Sequence, residues 1–337
     1  MTLNALVLAA GKGTRMKSNK AKVLHEVFFT PMLHHVLEAL LPLAPARICV
    51  VTGHQHEAVA AALTPYDVTI VYQQEQKGTG HAVLVAETAL RGKQGTVLIL
   101  CGDTPLIRPA TLSAMLETHA VAGGPLTVMT TVLDDPTHYG RICTDQEGKV
   151  VAIVEEKDAS LQERQIREVN AGIYCVEIEF LFHALRQIGT DNKQGEMYLT
   201  DIVAIAIREE YRVTRFLCED TSEVLGVNSR FELALAHDAL QRRRNIELMA
   251  NGVTLLHPET IAVAPEVLIG RDSIIHPSVT ITGQTVIGEG CCIESFVTLR
   301  QCCVGNGATI GSFCCLEEVS IAAGEKICPH TVLSSNT

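Results

Sequence analysis

The spacing of apolar residues changes twice along the chain, and each regime predicts a different kind of element. From residue 3 to about 130, short apolar runs alternate with longer segments whose apolar residues return at helical spacing. The runs Leu3–Ala9, Arg47–Thr52, Val68–Tyr72, Thr96–Cys101 and Pro125–Val132 predict strands. Met32–Leu41, His54–Leu63, Gly80–Arg91 and Pro109–Val121 predict helices between them. Such alternation gives an α/β domain whose parallel sheet is covered on both faces, with ligands at the carboxyl ends of strands. Between Asp134 and Gly172 the pattern is interrupted.

The second regime, Ser229 to Asn251, is a helical segment on the order of 30 Å long at about 1.5 Å per residue, with Gly252 as its stop. Its Arg242-Arg243-Arg244 run reads as a solvated face. In the third regime Ile269, Ile275, Ile281, Ile287, Ile293 and Leu299 recur every six residues. A shortened step leads to Val304, Ile310 and Leu316, and another to Ile321, Ile327 and Leu333. This repeat predicts a short left-handed parallel β-helix, one aliphatic residue per face stacking inside a triangular prism. The position four after each aliphatic residue is expected to be small: Ser273, Val279, Thr285, Cys291, Val297, Cys303, Ala308, Cys314, Ser320 and Thr331, with Glu325 the exception. On that rule Cys291, Cys303 and Cys314 are interior, and Cys292, Cys302 and Cys315 are their neighbours. The resulting Cys-Cys pairs lack the C-x-x-C spacing of a zinc site. The expected boundaries are a first domain over 1–228, a linker helix over 229–251 and the β-helix over 252–337.

Composition narrows the class. A length of 337 residues exceeds the usual single-domain size, and 47% hydrophobic residues suffice for a real core. No apolar run approaches a membrane span, and no basic-then-apolar leader precedes the first strand. A net charge of −11 argues against a nucleic-acid partner. Twelve cysteines without a secretory leader read as reduced thiols of a cytoplasmic protein.

Candidate chemistry gathers just after the predicted strands. Gly11, Lys12, Gly13, Thr14 and Arg15 follow the first, with Lys17, Lys20 and Lys22 close behind. Glycines let the backbone curl so that its N–H groups face an anion, and the cations add charge where a polyphosphate would lie. The spacing is that of neither a Walker loop nor a G-x-G-x-x-G turn, so the loop alone leaves phosphate binding and a plain tight turn equally open. Gly78-Thr79-Gly80 opens a helix. Asp103, past the fourth strand, is a hard oxygen ligand suited to Mg²⁺ beside phosphate, or a turn residue ahead of Pro105.

Leu8-Ala9-Ala10-Gly11-Lys12-Gly13-Thr14-Arg15-Met16 with Lys22-Val23-Leu24 resembles the signature of sugar-1-phosphate nucleotidyltransferases. The segments Asp135–Ile142, Ile153–Ala159, Val169–Ile173, Gly195–Ile202 and Gly226–Arg230 narrow the resemblance to the bacterial N-acetylglucosamine-1-phosphate uridylyltransferases. That family implies a Rossmann-like transferase domain joining UTP to N-acetylglucosamine-1-phosphate with Mg²⁺ as cofactor. It implies Leu8, Ala10 and Gly11 beside uridine, and Lys12, Arg15 and Lys22 on phosphates, with Arg15 and Lys22 stabilising the transition state. Gln73, Gly78 and Thr79 would read uracil, Gly140, Glu155 and Asn170 would hold the sugar, and Asp103 with Asn228 would bind the metal. No general base is needed, because a phosphate monoester, with a second pKa of about 6, is already largely dianionic.

Three departures stand out: Cys101 for the family's tyrosine, Ala171 for a threonine, and Phe28-Phe29-Thr30-Pro31-Met32 without the usual Gly-Lys. The first two lie beside the expected sugar pocket, and the third reads as a packing change. Two other readings stay open: a transferase of another sugar or base, and a non-catalytic subunit that senses nucleotide. Proteins with this repeat commonly form homotrimers. In bifunctional members of the family a longer β-helix carries an acetyltransferase. Its residues are not expected in these coils, where Ser334 stands in place of an arginine that binds the sugar phosphate.

Overall fold

The computed structural model describes residues 2–92 and 94–335. The chain divides into two compact units, one of Met1–Glu26 with Thr30–Leu233 and one of Val27–Phe29 with Ala234–Thr337.

The first unit is built on β1 (Leu3–Ala9), which pairs in parallel with β2 (Arg47–Thr52) on one side and β4 (Thr96–Cys101) on the other. The strand β3 (Thr69–Tyr72) extends the sheet beyond β2. Alternate side chains leave opposite faces of the strands, and both faces are covered. Leu6, Val51, Val97 and Ile99 pack with Ala82, Leu181 and Ile202. Val7, Val50, Leu98 and Leu100 pack with Leu33, Leu37, Leu112 and Met115. Each such Val, Leu, Ile or Met side chain removed from water contributes about 1.5–3 kcal/mol.

The covering helices are α1 (Met32–Leu40), α2 (His56–Ala62), α3 (Thr79–Val85), α4 (Pro109–Ala122), α5 (Ile178–Leu185) and α6 (Asp201–Arg208). The single helix expected over Gly80–Arg91 is broken at Ala86, whose N–H bonds the carbonyl of Val83 in a tightened turn before Glu87–Leu90.

The sheet is not wholly parallel. Beyond β5 (Leu126–Val132), the stretch read as an interruption supplies a hairpin, β6 (Arg141–Thr144) and β7 (Val150–Val154), and then β8 (Glu168–Glu177). β8 runs antiparallel between β4 and β5, and β9 (Val213–Leu217) flanks β5 in parallel. Its local pattern is unreadable because register shifts between Asn170 and Tyr174, where Gly172 takes φ +74°.

In the second unit, three parallel sheets of two- and three-residue strands stack coil upon coil. Ile275, Ile281 and Ile287 face Ile293, Leu299 and Val304 of the next coil, all buried. Two assignments made by counting four residues forward are overturned. Cys302 is interior and Cys303 is exposed; likewise Val319 is the inward side chain and Ser320 is exposed. The inward small residue lies two before the next aliphatic position, so a five-residue step brings it forward by one. Cys291 and Cys314 are interior as expected, and all twelve cysteines are free thiols. Glu325 is exposed and turns its carboxylate onto the N–H of Ala322.

The helix α7 (Arg230–Ala250) ends where Gly252 takes φ +90° and its N–H reaches the carbonyl of Met249. Phe28, buried against the ring of His237 and donating its N–H to Nδ1, explains the departure at Phe28-Phe29 as packing. Among the described residues no helix is long and apolar enough to cross a membrane.

Candidate active site

Three strand ends of the first unit converge on a cavity of about 720 Å³. From β1 and the loop after it come Leu8, Ala10, Gly11, Lys12 and Lys22; from the end of β3 come Gln73, Gly78 and Thr79; from β4 come Cys101 and Asp103. Gly13 shapes the first loop. Its φ is +60°, and a Cβ there would stand 2.5 Å from Cβ of Lys22, so only glycine lets that lysine pass. Gly11 meets no such limit, since a Cβ on it would touch nothing within 4 Å.

Gly78, at φ +104°, lies so close to Met197 that a Cβ would fall 2.5 Å from its carbonyl oxygen. That carbonyl accepts from Gly80 N–H at 2.8 Å, and Thr79 Oγ1 accepts from Leu199 N–H at 3.0 Å. The segment 197–199 therefore straps the start of α3 in place. Gln73 is buried and donates through Nε2 to the carbonyl of Gly78.

Lys22, Asp103 and Asn228 meet at one point. The Lys22 ammonium pairs with Asp103 Oδ2 and donates to Asn228 Oδ1 at 3.0 Å, with both charged side chains largely buried. Asn228 Nδ2 donates to the carbonyl of Gly226, which aims the amide oxygen at the lysine. Among the described residues no group of three or more His, Cys, Asp or Glu side chains forms a metal site. Two oxygens that already share one cation fit an ion that completes its shell with phosphate and water.

The remaining residues sit on the hairpin and on β8. Gly140 accepts the N–H of Asn170 at 2.9 Å, and a Cβ on Gly140 would approach the Glu155 carboxyl to 3.6 Å. Gly140, Glu155 and Asn170 are thus neighbours. Glu155 also lines a second cavity of about 400 Å³ with Asp158, Asn192, Tyr198 and Asp201. Burial pushes the Glu155 carboxyl up and the Thr200 hydroxyl, donating at 3.1 Å, opposes this, while Asp201 and Asp158 raise it further. Burial, aided by Asp103, pushes the Cys101 thiol up to about 12, so it stays protonated.

Arg15 does not line the main cavity and is exposed. Other residues at the site were given no role by the sequence, although Tyr139, Glu196 and Thr200 lie in segments that carry the family resemblance. Glu196, Gln74 and Gln76 line the cavity. Tyr139 hydrogen-bonds the Gly226 backbone and feels both Asp103 and Arg15, while Thr200 and Tyr174 hold Glu155 and Asn170.

Residues 5–167 match the MobA-like NTP transferase domain, and residues 266–301 match the bacterial transferase hexapeptide (six repeats). The protein named Bifunctional protein GlmU from Desulfotalea psychrophila is 46% identical over 325 residues, covering 96% of each chain. The chain belongs to the GlmU family. The GlmU of Pelobacter propionicus is 45% identical over 334 residues, 99% of this chain and 73% of the relative. That of Heliobacterium modesticaldum is 50% identical over 287 residues, 85% of this chain and 62% of the relative. A GlmU-family NTP transferase domain accounts for lysines and a carboxylate gathered at the strand ends of a doubly covered sheet.

Proposed function

We propose that this protein is a uridylyltransferase that forms UDP-N-acetylglucosamine and pyrophosphate from UTP and N-acetylglucosamine-1-phosphate. The observation that carries the reading is the junction at which Lys22 and Asp103, on the wall of the main cavity, meet Asn228 beside the loop of Lys12 and Gly13. In-line displacement at phosphorus needs two anions brought together, which is a task of charge and position more than of proton transfer.

Leu8, Ala10 and Gly11 hold the uridine, and Gln73, Gly78 and Thr79 read the uracil edge. Lys12 and Arg15 bind the triphosphate, Arg15 by reaching in from outside the cavity wall. Lys22 turns its ammonium to the reacting phosphates, and Arg15 and Lys22 together stabilise the charge that develops there. Gly140, Glu155 and Asn170 hold the sugar, Glu155 accepting from a hydroxyl. Asp103 and Asn228 supply the protein oxygens for Mg²⁺, which neutralises phosphate charge when bound.

The prism supports a homotrimer, because one sheet turns Leu268 and Val286 outward in register, both exposed. Acetyl transfer is not assigned to the described coils.

A panel of nucleoside triphosphates and sugar phosphates, read by pyrophosphate release, tests the assignment. UTP with N-acetylglucosamine-1-phosphate is expected to exceed every other pair. Equal rates with glucose-1-phosphate, or a preference for another base, would reject it.

A further inference from the structure

We propose that Tyr174 is a positioning residue for the sugar site, acting through the Asn170 side chain; this rests on the sugar role proposed above for Asn170. An asparagine amide has two ends of nearly equal shape and opposite hydrogen-bonding character. Here both ends are held from within the same strand. Oδ1 of Asn170 accepts from the N–H of Gly172 at 3.0 Å, and Nδ2 donates to the hydroxyl oxygen of Tyr174 at 2.7 Å. The first bond forbids the reversed amide, which would set donor against donor. The second stops the amide plane from swinging about the first.

The irregularity of β8 makes this clamp possible. Register shifts between Asn170 and Tyr174, and Gly172 at φ +74° folds its N–H back toward the preceding side chain. Tyr174 is 2% exposed and forms part of the core on the face of Leu6 and Val97. Burial, reinforced by the nearby Glu155 carboxyl, pushes its phenol far above neutrality, so the clamp does not titrate. With both ends of the amide engaged, one N–H of Nδ2 and one lone pair of Oδ1 remain for a ligand. Under the sugar role proposed for both residues, these free groups would act with Glu155, held by Thr200, on sugar hydroxyls or an acyl group.

The test is a double-mutant cycle read by binding of UDP and UDP-N-acetylglucosamine and by steady-state kinetics. Tyr174→Phe keeps the ring and its packing. It is expected to weaken UDP-N-acetylglucosamine five- to tenfold and raise KM for the sugar phosphate to match, with UDP affinity, KM for UTP and kcat within about twofold, on the scale of one neutral hydrogen bond. In an Asn170→Ala background the same change is expected to have no further effect. A Tyr174→Phe protein that discriminates between the two ligands as well as wild type does, loses affinity for both alike, or responds equally in both backgrounds overturns the proposal alone. A wild type that binds UDP and UDP-N-acetylglucosamine equally overturns the sugar assignment first, and this inference with it.

Discussion

The carboxylates of this site do opposite things to stability and to function. Glu155 is held in a place that raises its pKa, chiefly by burial, so the folded state binds its proton more tightly than the unfolded chain does. The stability linked to that proton is present below the unfolded value near 4.5 and is lost as pH rises through the folded value. At neutral pH the charged form is therefore a burden on the empty protein. Glu155→Gln is expected to melt at or above wild type at pH 7.5, with the difference closing at acidic pH, while the sugar phosphate binds at least about tenfold more weakly. Thermal melts across pH 4–8 check the sign; a variant less stable at pH 7.5 would contradict it. Asp103 is different, since its charge is met by Lys22. Asp103→Asn leaves the largely buried Lys22 ammonium without its carboxylate, so it is expected to lower the melt while the chain still folds, and to cut turnover by about a hundredfold or more. Wild-type turnover across a Mg²⁺ titration would remove Asp103 from the metal role.

Elements differ in how much of themselves they show in sequence. The five strands from Leu3–Ala9 to Leu126–Val132 were legible because each is an apolar run bounded by turn residues, four of them largely buried on both faces and the edge strand Thr69–Tyr72 leaving Ile70 and Tyr72 exposed. β8 was not, because its place between two distant strands depends on long-range pairing and its middle is bent around Gly172. The site residues Lys12, Lys22 and Asp103 could be found from residue type and from their place after strands. Asn170, Glu155 and Asn228 had no such mark, and only the resemblance singled them out. Tyr174 carried no mark of its own, since a clamp from beneath leaves no trace in local spacing, and Thr200 was visible only as part of the resembling segment Gly195–Ile202. In the prism, hexad counting located the aliphatic stack and failed only at the shortened steps. The corrected register has a direct check. Cys302→Ser, which sets a hydroxyl in the prism interior, is expected to lower the melting temperature by more than Cys303→Ser, whose side chain points outward. Equal losses at both positions would contradict the register.

At the scale of the whole molecule, each unit has a core of its own, a two-faced one around the sheet and a linear one inside the prism. A prism stacked coil on coil gains stability from its neighbours and presents long, repetitive faces. Light scattering at micromolar concentration is expected to give three times the chain mass of 36.5 kDa, and a monomer would count against the trimer. The central claim is one of chemistry, and phosphorus NMR tests it directly. UTP and N-acetylglucosamine-1-phosphate, mixed with the protein and Mg²⁺, are predicted to be consumed in equal amounts as UDP-N-acetylglucosamine and pyrophosphate appear together, with the conversion abolished by chelator and by Asp103→Asn. UTP hydrolysis without a new UDP-sugar signal, or a mixture unchanged after hours with folded protein present, would contradict the account.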